Sequence, residues 1–347
     1  MNALSQPLAP SQAPKPRSAG TRLRGVVHIG APKTGTTWLQ KVLTDNRALL
    51  QTRGVLYPDA SLRGFGHHDL AFLLGGGYPE WATAQPRNLA DIEAELKQTV
   101  TAHRGTVLLS SENFYLYPEP ATLRGLLERC WLVEPAIVVY LRRQDAAHES
   151  WFNQTIKAQG YTHTLEECIA RFHGLWDYEA QLAKWADAFG RDALVVRVYE
   201  EQQFEGGSLL TDFAAAAGID ARGLVLPEAE VNTGLNRDIL EFQRVVNGLP
   251  LATIEKRRFH KELIALSAGA KGSGLFDESA LLTPARRQEL MAQYAAGNRA
   301  VARTYLGRDE LFREPLPQDG AAPGEGLTTE KLARILGWLL AKGKADG

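Results

Sequence analysis

The feature that most constrains this chain is an apolar run that leads into a glycine-rich turn and then a helical pattern, all within residues 24–44. Residues 26–29 are rich in β-branched side chains and predict a buried strand. Residues 30–35 interrupt the run with two glycines and a proline, and beyond them apolar residues recur at helical spacing. The first-turn N–H groups of such a helix have no partners within it. Together with the helix dipole, they predict an anion site, most often for phosphate.

The order of residues in this turn indicates which kind of phosphate it suits. Gly30 and Gly35 keep the glycine spacing of a Walker loop, but the lysine is Lys33, inside the loop, and Thr36 stands where the Walker lysine would be. A nucleoside triphosphate needs a lysine that reaches its β- and γ-phosphates and a hydroxyl that holds Mg²⁺. The early lysine suits a shorter anion with one phosphate and one transferable group. The alternative is a turn that only joins strand to helix.

Three later apolar runs, 106–109, 136–141 and 193–198, predict further buried strands with helical patterns between them. Alternating strands and helices with long crossovers predict an α/β fold, with a P-loop-like, doubly wound parallel sheet flanked by helices. Ligands of such sheets bind beyond the carboxyl ends of the strands. Catalytic and ligand-binding residues are therefore expected where these runs end.

Polar residues follow the run at 106–109, and one of them, Glu112, is a carboxylate. Because this strand should neighbour the strand before Lys33, Glu112 is a candidate general base. The alternative is a solvated residue at a helix N-terminus. His67 and His68 are adjacent, so on a helix they point about 100° apart and at most one can face a given site. His67 or His68 is the second candidate base, with His68 named among the site residues, and a surface or capping histidine is the alternative.

The segment 32–38, which reads PKTGTTW, resembles the 5′-phosphosulfate loop of sulfotransferases that use 3′-phosphoadenosine 5′-phosphosulfate (PAPS). Arg142 follows the run at 136–141, and Ser150 comes eight residues later, as in the pair that holds the 3′-phosphate in that family. Arginine suits this role because its planar fork donates two charge-assisted bonds to a phosphate. The adjacent Arg143 is expected to form an ion pair at the surface.

The resemblance continues more weakly in the later segments. Tyr199 follows the run at 193–198, as does the tyrosine that lies near the adenine in the family, although it could instead cap the sheet edge. Lys271 and Gly272 resemble a late loop over the 3′-phosphate, but the arginine that precedes the lysine in the family is absent here. A solvated flexible loop is the alternative. These segments resemble bacterial sulfotransferases that act on glycans or lipid-linked sugars.

The resemblance implies transfer of a sulfuryl group from PAPS to the hydroxyl of a glycan or lipid-linked sugar, without a metal. The residues implied for PAPS binding are Lys33, Thr34, Gly35, Thr36, Thr37, Trp38, Arg142, Ser150, Tyr199 and Lys271. Lys33, Glu112 and His68 are the candidate catalytic residues. Two other classes stay open, namely a nucleotide-dependent kinase with a variant phosphate loop and a nucleotide-binding protein that catalyses nothing.

Composition limits the partners. The chain has 347 residues and a net charge of −1, so it lacks the broad basic surface expected of a nucleic-acid-binding protein. Two cysteines are too few for a disulfide framework or a cysteine-based zinc site. No stretch approaches the roughly 20 apolar residues of a membrane span.

The chain is expected to divide into three parts. Residues 1–22, rich in proline, alanine and serine, predict a disordered leader without the apolar region of a secretory signal. Residues 23–313 form the expected sulfotransferase domain, and 314–347 a linker and a C-terminal helix. The expected compartment is the cytoplasm, where PAPS would be available.

Overall fold

The fold is known from a computed structural model. It describes residues 23–227, 234–256, 258–318 and 326–343. The predicted leader, residues 1–22, and most of the predicted linker, residues 319–325, lie outside the described residues.

The strands of the described chain form one parallel sheet. They are β1 (Leu23–His28), β2 (Val55–Leu56), β3 (Thr106–Ser110), β4 (Leu132–Leu141) and β5 (Leu194–Val198). Their order is β2-β3-β1-β4-β5, and every pairing is parallel. The predicted α/β fold with a parallel sheet is confirmed. Because β1 lies between β3 and β4, the loop that follows β1 opens at the centre of the sheet, where ligands of such folds bind.

Strand β4 begins four residues before the predicted run, and a bulge explains the difference. The register against β1 shifts after Arg24, which pairs with Val133, whereas Val26 pairs with Ala136. Glu134 and Pro135 together lie opposite the single residue Gly25, so β4 has one extra residue here. A bulge is where a strand accommodates a proline that cannot donate to the ladder. The Glu-Pro pair interrupts the apolar pattern, so the sequence prediction started too late.

Helices cover both faces of the sheet. They are α1 (Thr36–Asp45), α2 (Arg47–Thr52), α3 (His68–Leu74), α4 (Leu89–Thr101), α5 (Asn113–Leu116), α6 (Pro120–Arg129), α7 (Gln144–Gln159), α8 (Leu165–Phe172), α9 (Tyr178–Phe189), α10 (Leu209–Ala217), α11 (Arg237–Asn247), α12 (Thr253–Lys256), α13 (His260–Gly269), α14 (Pro284–Val301) and α15 (Thr329–Gly343). A 3-10 turn, His173–Trp176, separates α8 from α9.

Side chains of the strands alternate between two buried clusters, as the pleat requires. Val26 of β1 belongs to the cluster that includes Leu39 of α1 and Phe213 of α10. Its neighbour Val27 belongs to the larger cluster on the other face, which includes Leu126 of α6. Burial on both faces is why these strands appear in the sequence as continuous apolar runs.

The C-terminal helix packs onto this larger cluster. Ile335 and Leu339 of α15 are buried in it, and Lys331 forms a 2.7 Å ion pair with the buried Asp238 of α11. Among the described helices, none combines the length and the apolar character needed to cross a bilayer.

Candidate functional site

The loop between β1 and α1 leaves the N-terminus of the helix without a side-chain cap. Gly35 is the N-cap residue of α1 with a φ of 76°, and no side chain caps the first turn of this helix. The first-turn N–H groups therefore lack the partner that a serine or aspartate would supply. Lys33 also has a positive φ, 68°, which turns the chain tightly before the helix. The hydroxyl of Thr34 is buried and donates to the carbonyl of Ala31 at 2.7 Å, so it braces the loop from within.

Gly35 is required by its surroundings as well as by its φ. A Cβ atom at this position would lie 2.6 Å from Leu209 Cδ2 and 3.4 Å from the Tyr199 ring. The loop is therefore in close contact with the segment after β5, and Tyr199 lies beside it.

Arg142, which belongs to the Arg142–Ser150 pair, contacts the loop that contains Lys33. Its Nη1 donates to the carbonyl oxygen of Lys33 at 2.8 Å, and its guanidinium carbon lies 5.9 Å from the centre of the Tyr199 ring. The hydroxyl of Tyr178 donates to the Arg142 carbonyl and holds the end of β4. Burial lowers the pKa of Arg142. Tyr178 was missed by sequence reasoning, because its apolar helical pattern shows only that it is buried.

Arg143 does not lie at the surface as predicted. Its side chain is buried, pairs with Asp145 at 2.7 Å, and donates at 3.0 Å to the carbonyls of Glu314 and Pro315. The chain turns from β4 into α7 at this residue, and the segment around 314 covers it. The expected surface ion pair is therefore a buried one, supported by distant backbone.

Glu112 lies just after β3 and lines the same cleft as Lys33. It is the N-cap residue of the short helix α5, yet its side chain makes no capping bond. Instead, Glu112 Oε2 accepts a 2.9 Å hydrogen bond from Nε2 of Gln40, a buried residue of α1. This geometry does not support the alternative capping role. Sequence reasoning missed Gln40, whose one signal is a polar side chain beside the apolar positions of α1.

The two histidines have different surroundings, as their adjacent positions predicted. His67 is fully buried, with its ring bonded to the Pro58 carbonyl and the Ser110 N–H, and burial lowers its pKa to about 3. His68 lines the cleft, and its Nδ1 lies 2.8 Å from the Ser111 hydroxyl and 2.9 Å from the Asn113 side-chain amide. Of the two histidines, only His68 therefore lines the cleft that also contains Glu112.

These residues share one cleft of about 1100 Å³ at the carboxyl ends of β1, β3 and β4. The sequence-predicted residues that line it are Lys33, Gly35, Thr36, Thr37, Trp38, His68, Glu112, Arg142, Ser150, Tyr199 and Lys271. A second cavity of about 480 Å³ adjoins it and shares Arg142 and Tyr199 with it. Within the described ranges, no group of three or more His, Cys, Asp or Glu side chains could hold a metal ion.

The electrostatics of the cleft centre on Lys33. Burial lowers the pKa of its ammonium to about 8, and repulsion by Lys157 and then Arg142 adds to this effect, while Glu112 opposes it. Lys157, which sequence reasoning also missed, is itself buried in the wall of the cleft. Concentrated positive charge beside uncapped N–H groups suits an anionic ligand with more than one charged group.

Comparisons with known proteins leave the activity open. No protein-family model matches the chain. An uncharacterized protein of Archaeoglobus fulgidus is 29% identical over 182 residues, which cover 51% of this chain and 47% of that protein. The chain thus spans about half the length of this curated relative. A crystal structure of a sulfotransferase from Alicyclobacillus acidocaldarius has a TM-score of 0.38 and 18% identity, over 73% of this chain and 94% of that one. A similarity at this level carries no argument, so function rests on the site.

Proposed function

We propose that this chain is a PAPS-dependent sulfotransferase that transfers a sulfuryl group to the hydroxyl of a glycan or glycolipid in the cytoplasm. The observation that carries the proposal is the convergence of distant residues in one cleft. Lys33, Glu112 and Arg142 follow three adjacent strands, and Ser150 faces the same cleft from α7. A phosphate loop, a carboxylate and an Arg-Ser pair are the parts that sulfuryl transfer requires.

The donor would be held at three places. Lys33 and the uncapped N–H groups of α1 would bind the 5′-phosphate, with Thr36, Thr37 and Trp38 around it. Arg142, Ser150 and Lys271, which all line the cleft, would bind the 3′-phosphate. The adjoining cavity beside Tyr199 has room for the nucleoside.

The chemistry would be an in-line transfer. The acceptor oxygen attacks sulfur and gives its proton to Glu112, which Gln40 holds in place. The bond from sulfur to the bridging oxygen breaks, and its electron pair stays on the 5′-phosphate, where Lys33 offsets the developing charge. The products are the sulfate ester and adenosine 3′,5′-bisphosphate.

Aromatic and polar side chains at one end of the cleft favour a sugar as the acceptor. Phe72 and Trp81 line it, with ring centroids 5.5 Å apart, and Trp81 is 39% exposed. An exposed aromatic ring offers an apolar face with room for a ligand against it. Arg63 and His68 supply polar groups at the same end.

We expect Arg142→Ala to weaken the binding of adenosine 3′,5′-bisphosphate by about ten- to a hundredfold, because charge-assisted bonds to a phosphate are lost. Binding of adenosine 5′-monophosphate should change much less, because that ligand lacks the 3′-phosphate. Titration calorimetry with both ligands measures the difference. Since Arg142 also holds the Lys33 carbonyl, Ser150→Ala is the matched variant that leaves the loop bond intact. Equal losses for the two ligands in both variants would contradict the 3′-phosphate assignment.

The proposed function itself predicts selective stabilisation by adenosine 3′,5′-bisphosphate over ATP in a thermal-shift assay. A ligand at a hundred times its Kd stabilises a protein by about 2.7 kcal/mol. Radiolabelled PAPS, screened against glycan, lipid and phenol pools, should then give a labelled product in the presence of EDTA. Stabilisation by ATP that depends on Mg²⁺ would favour the kinase. Binding without turnover on every pool would favour the non-catalytic protein.

A further inference from the structure

Lys157 is a buried cation that the mechanism above does not use. It lies in α7, is only 7% exposed, and lines the main cleft. Among the described residues, no opposite charge or hydrogen-bond acceptor offsets the burial of its ammonium. Burial without a partner is costly for a charged group, and it lowers the pKa of Lys157. A buried lysine without a partner does not stabilise the fold, so we look for its role in ligand binding.

Lys157 lies on α7 well beyond Ser150, which with Arg142 is assigned to the 3′-phosphate. Ser150, Asn153 and Lys157 follow one another at helical spacing and all line the cleft, so they share a face of α7. Lys157 is seven residues beyond Ser150, a rise of about 10.5 Å along the helix. Among the neighbouring charges, Lys157 lowers the pKa of Lys33 more than Arg142 does. Lys33 and Lys157 also line the same cleft, so a ligand bound at Lys33 lies in the space that Lys157 lines.

The other cations of the cleft are already paired or assigned to a phosphate of the donor. This leaves Lys157 available for another anionic group of the donor. Arg63 is neutralised by Asp69 at 2.6 Å. Arg142 and Lys271 are assigned to the 3′-phosphate, and Lys33 to the 5′-phosphate and the bridging oxygen. Arg237, which also lines the cleft, lies 3.9 Å from Asp277. The remaining anionic group of PAPS is the sulfuryl group, and Lys157 is the remaining buried cation of the cleft.

We propose that Lys157 binds the sulfuryl group of the donor and holds it for transfer. This inference rests on the proposed function. The Lys157 ammonium donates to the non-bridging oxygens on sulfur and keeps its protons throughout. The acceptor oxygen forms the new bond to sulfur, the bond to the bridging oxygen breaks with its electron pair on the 5′-phosphate, and Glu112 takes the acceptor proton.

Two ligands that differ only by the sulfuryl group test this assignment. Calorimetry should show that Lys157→Met weakens PAPS binding by about ten- to a hundredfold, because a charge-assisted bond is lost. Its affinity for adenosine 3′,5′-bisphosphate should stay within about twofold. The melting temperature should equal or exceed that of the wild type, because the variant removes a buried unpaired charge. Lys41→Met, which removes a partly exposed lysine outside the cleft that pairs with Asp45 at 3.0 Å, is the control and should change neither affinity.

Each other outcome has a definite meaning. Unchanged PAPS affinity, or equal losses for both ligands, would overturn the assignment of Lys157. A raised KM for the acceptor with normal PAPS binding would place Lys157 in an acceptor subsite and also overturn it. Should Lys157→Met fail to fold, Lys157→Gln keeps a polar head group and is judged by the same ratio of affinities. If the wild-type protein binds neither ligand, it is the proposed function that fails.

Discussion

Replacing Glu112 with glutamine should lower kcat by about 10² to 10⁴, the usual contribution of a general base, while nucleotide affinity stays nearly unchanged. Glutamine keeps the shape of the side chain and can still accept the hydrogen bond from Gln40, but it cannot take a proton. Steady-state kinetics at saturating acceptor measures the effect, so that weaker acceptor binding is not mistaken for slower chemistry.

Two comparisons make this result interpretable. Glu119→Gln makes the same change at an exposed position outside the cleft and should leave kcat near the wild-type value. His68→Asn tests the second candidate base. Near-normal kcat in Glu112→Gln together with a lost activity in His68→Asn would transfer the role to His68. A large fall in melting temperature of Glu112→Gln would instead mark a structural residue.

The second large effect is expected at Lys33. Lys33→Met should reduce kcat by about 10² to 10³, the range seen when one group that stabilises developing charge is removed. Affinity for adenosine 5′-monophosphate should fall as well, because Lys33 also binds the 5′-phosphate, which this ligand retains. Arg142→Ala is the contrasting variant, since it should affect mainly ligands with a 3′-phosphate. A kcat within threefold of the wild type in Lys33→Met would exclude a role at the leaving group.

The same residue predicts an alkaline limit to activity. The pKa of Lys33 is lowered to about 8, chiefly by burial, so its ammonium is present below that pH and is lost above it. A plot of kcat/KM for PAPS, which reports groups of the free enzyme, should therefore fall as the pH rises through about 8. The fall should be absent in Lys33→Met. A fall that persists there would belong to another group, of which Lys157, with its own lowered pKa, is the first candidate.

Features that depend on local sequence were predicted well. The strand, turn and helix around Lys33 follow from the spacing of apolar residues and glycines over about 20 positions, and the unpaired N–H groups follow from helix geometry alone. The parallel sheet followed from alternating strand and helix patterns. The start of β4 was wrong because Pro135 lies in a bulge, where pairing with β1 and not the apolar pattern decides the strand.

The site itself was decided by the tertiary structure. Gln40 reaches Glu112 and Arg142 reaches the Lys33 carbonyl because β3, β1 and β4 are neighbours in the sheet, although these pairs lie 72 and 109 residues apart in the chain. Arg143 is buried because a segment 171 residues later covers it. The sequence by itself determined which residues could carry charge and where a helix would present free donors, since both are local properties. Burial, and with it the lowered pKa of Lys33, arises only when distant segments exclude water from the same cleft.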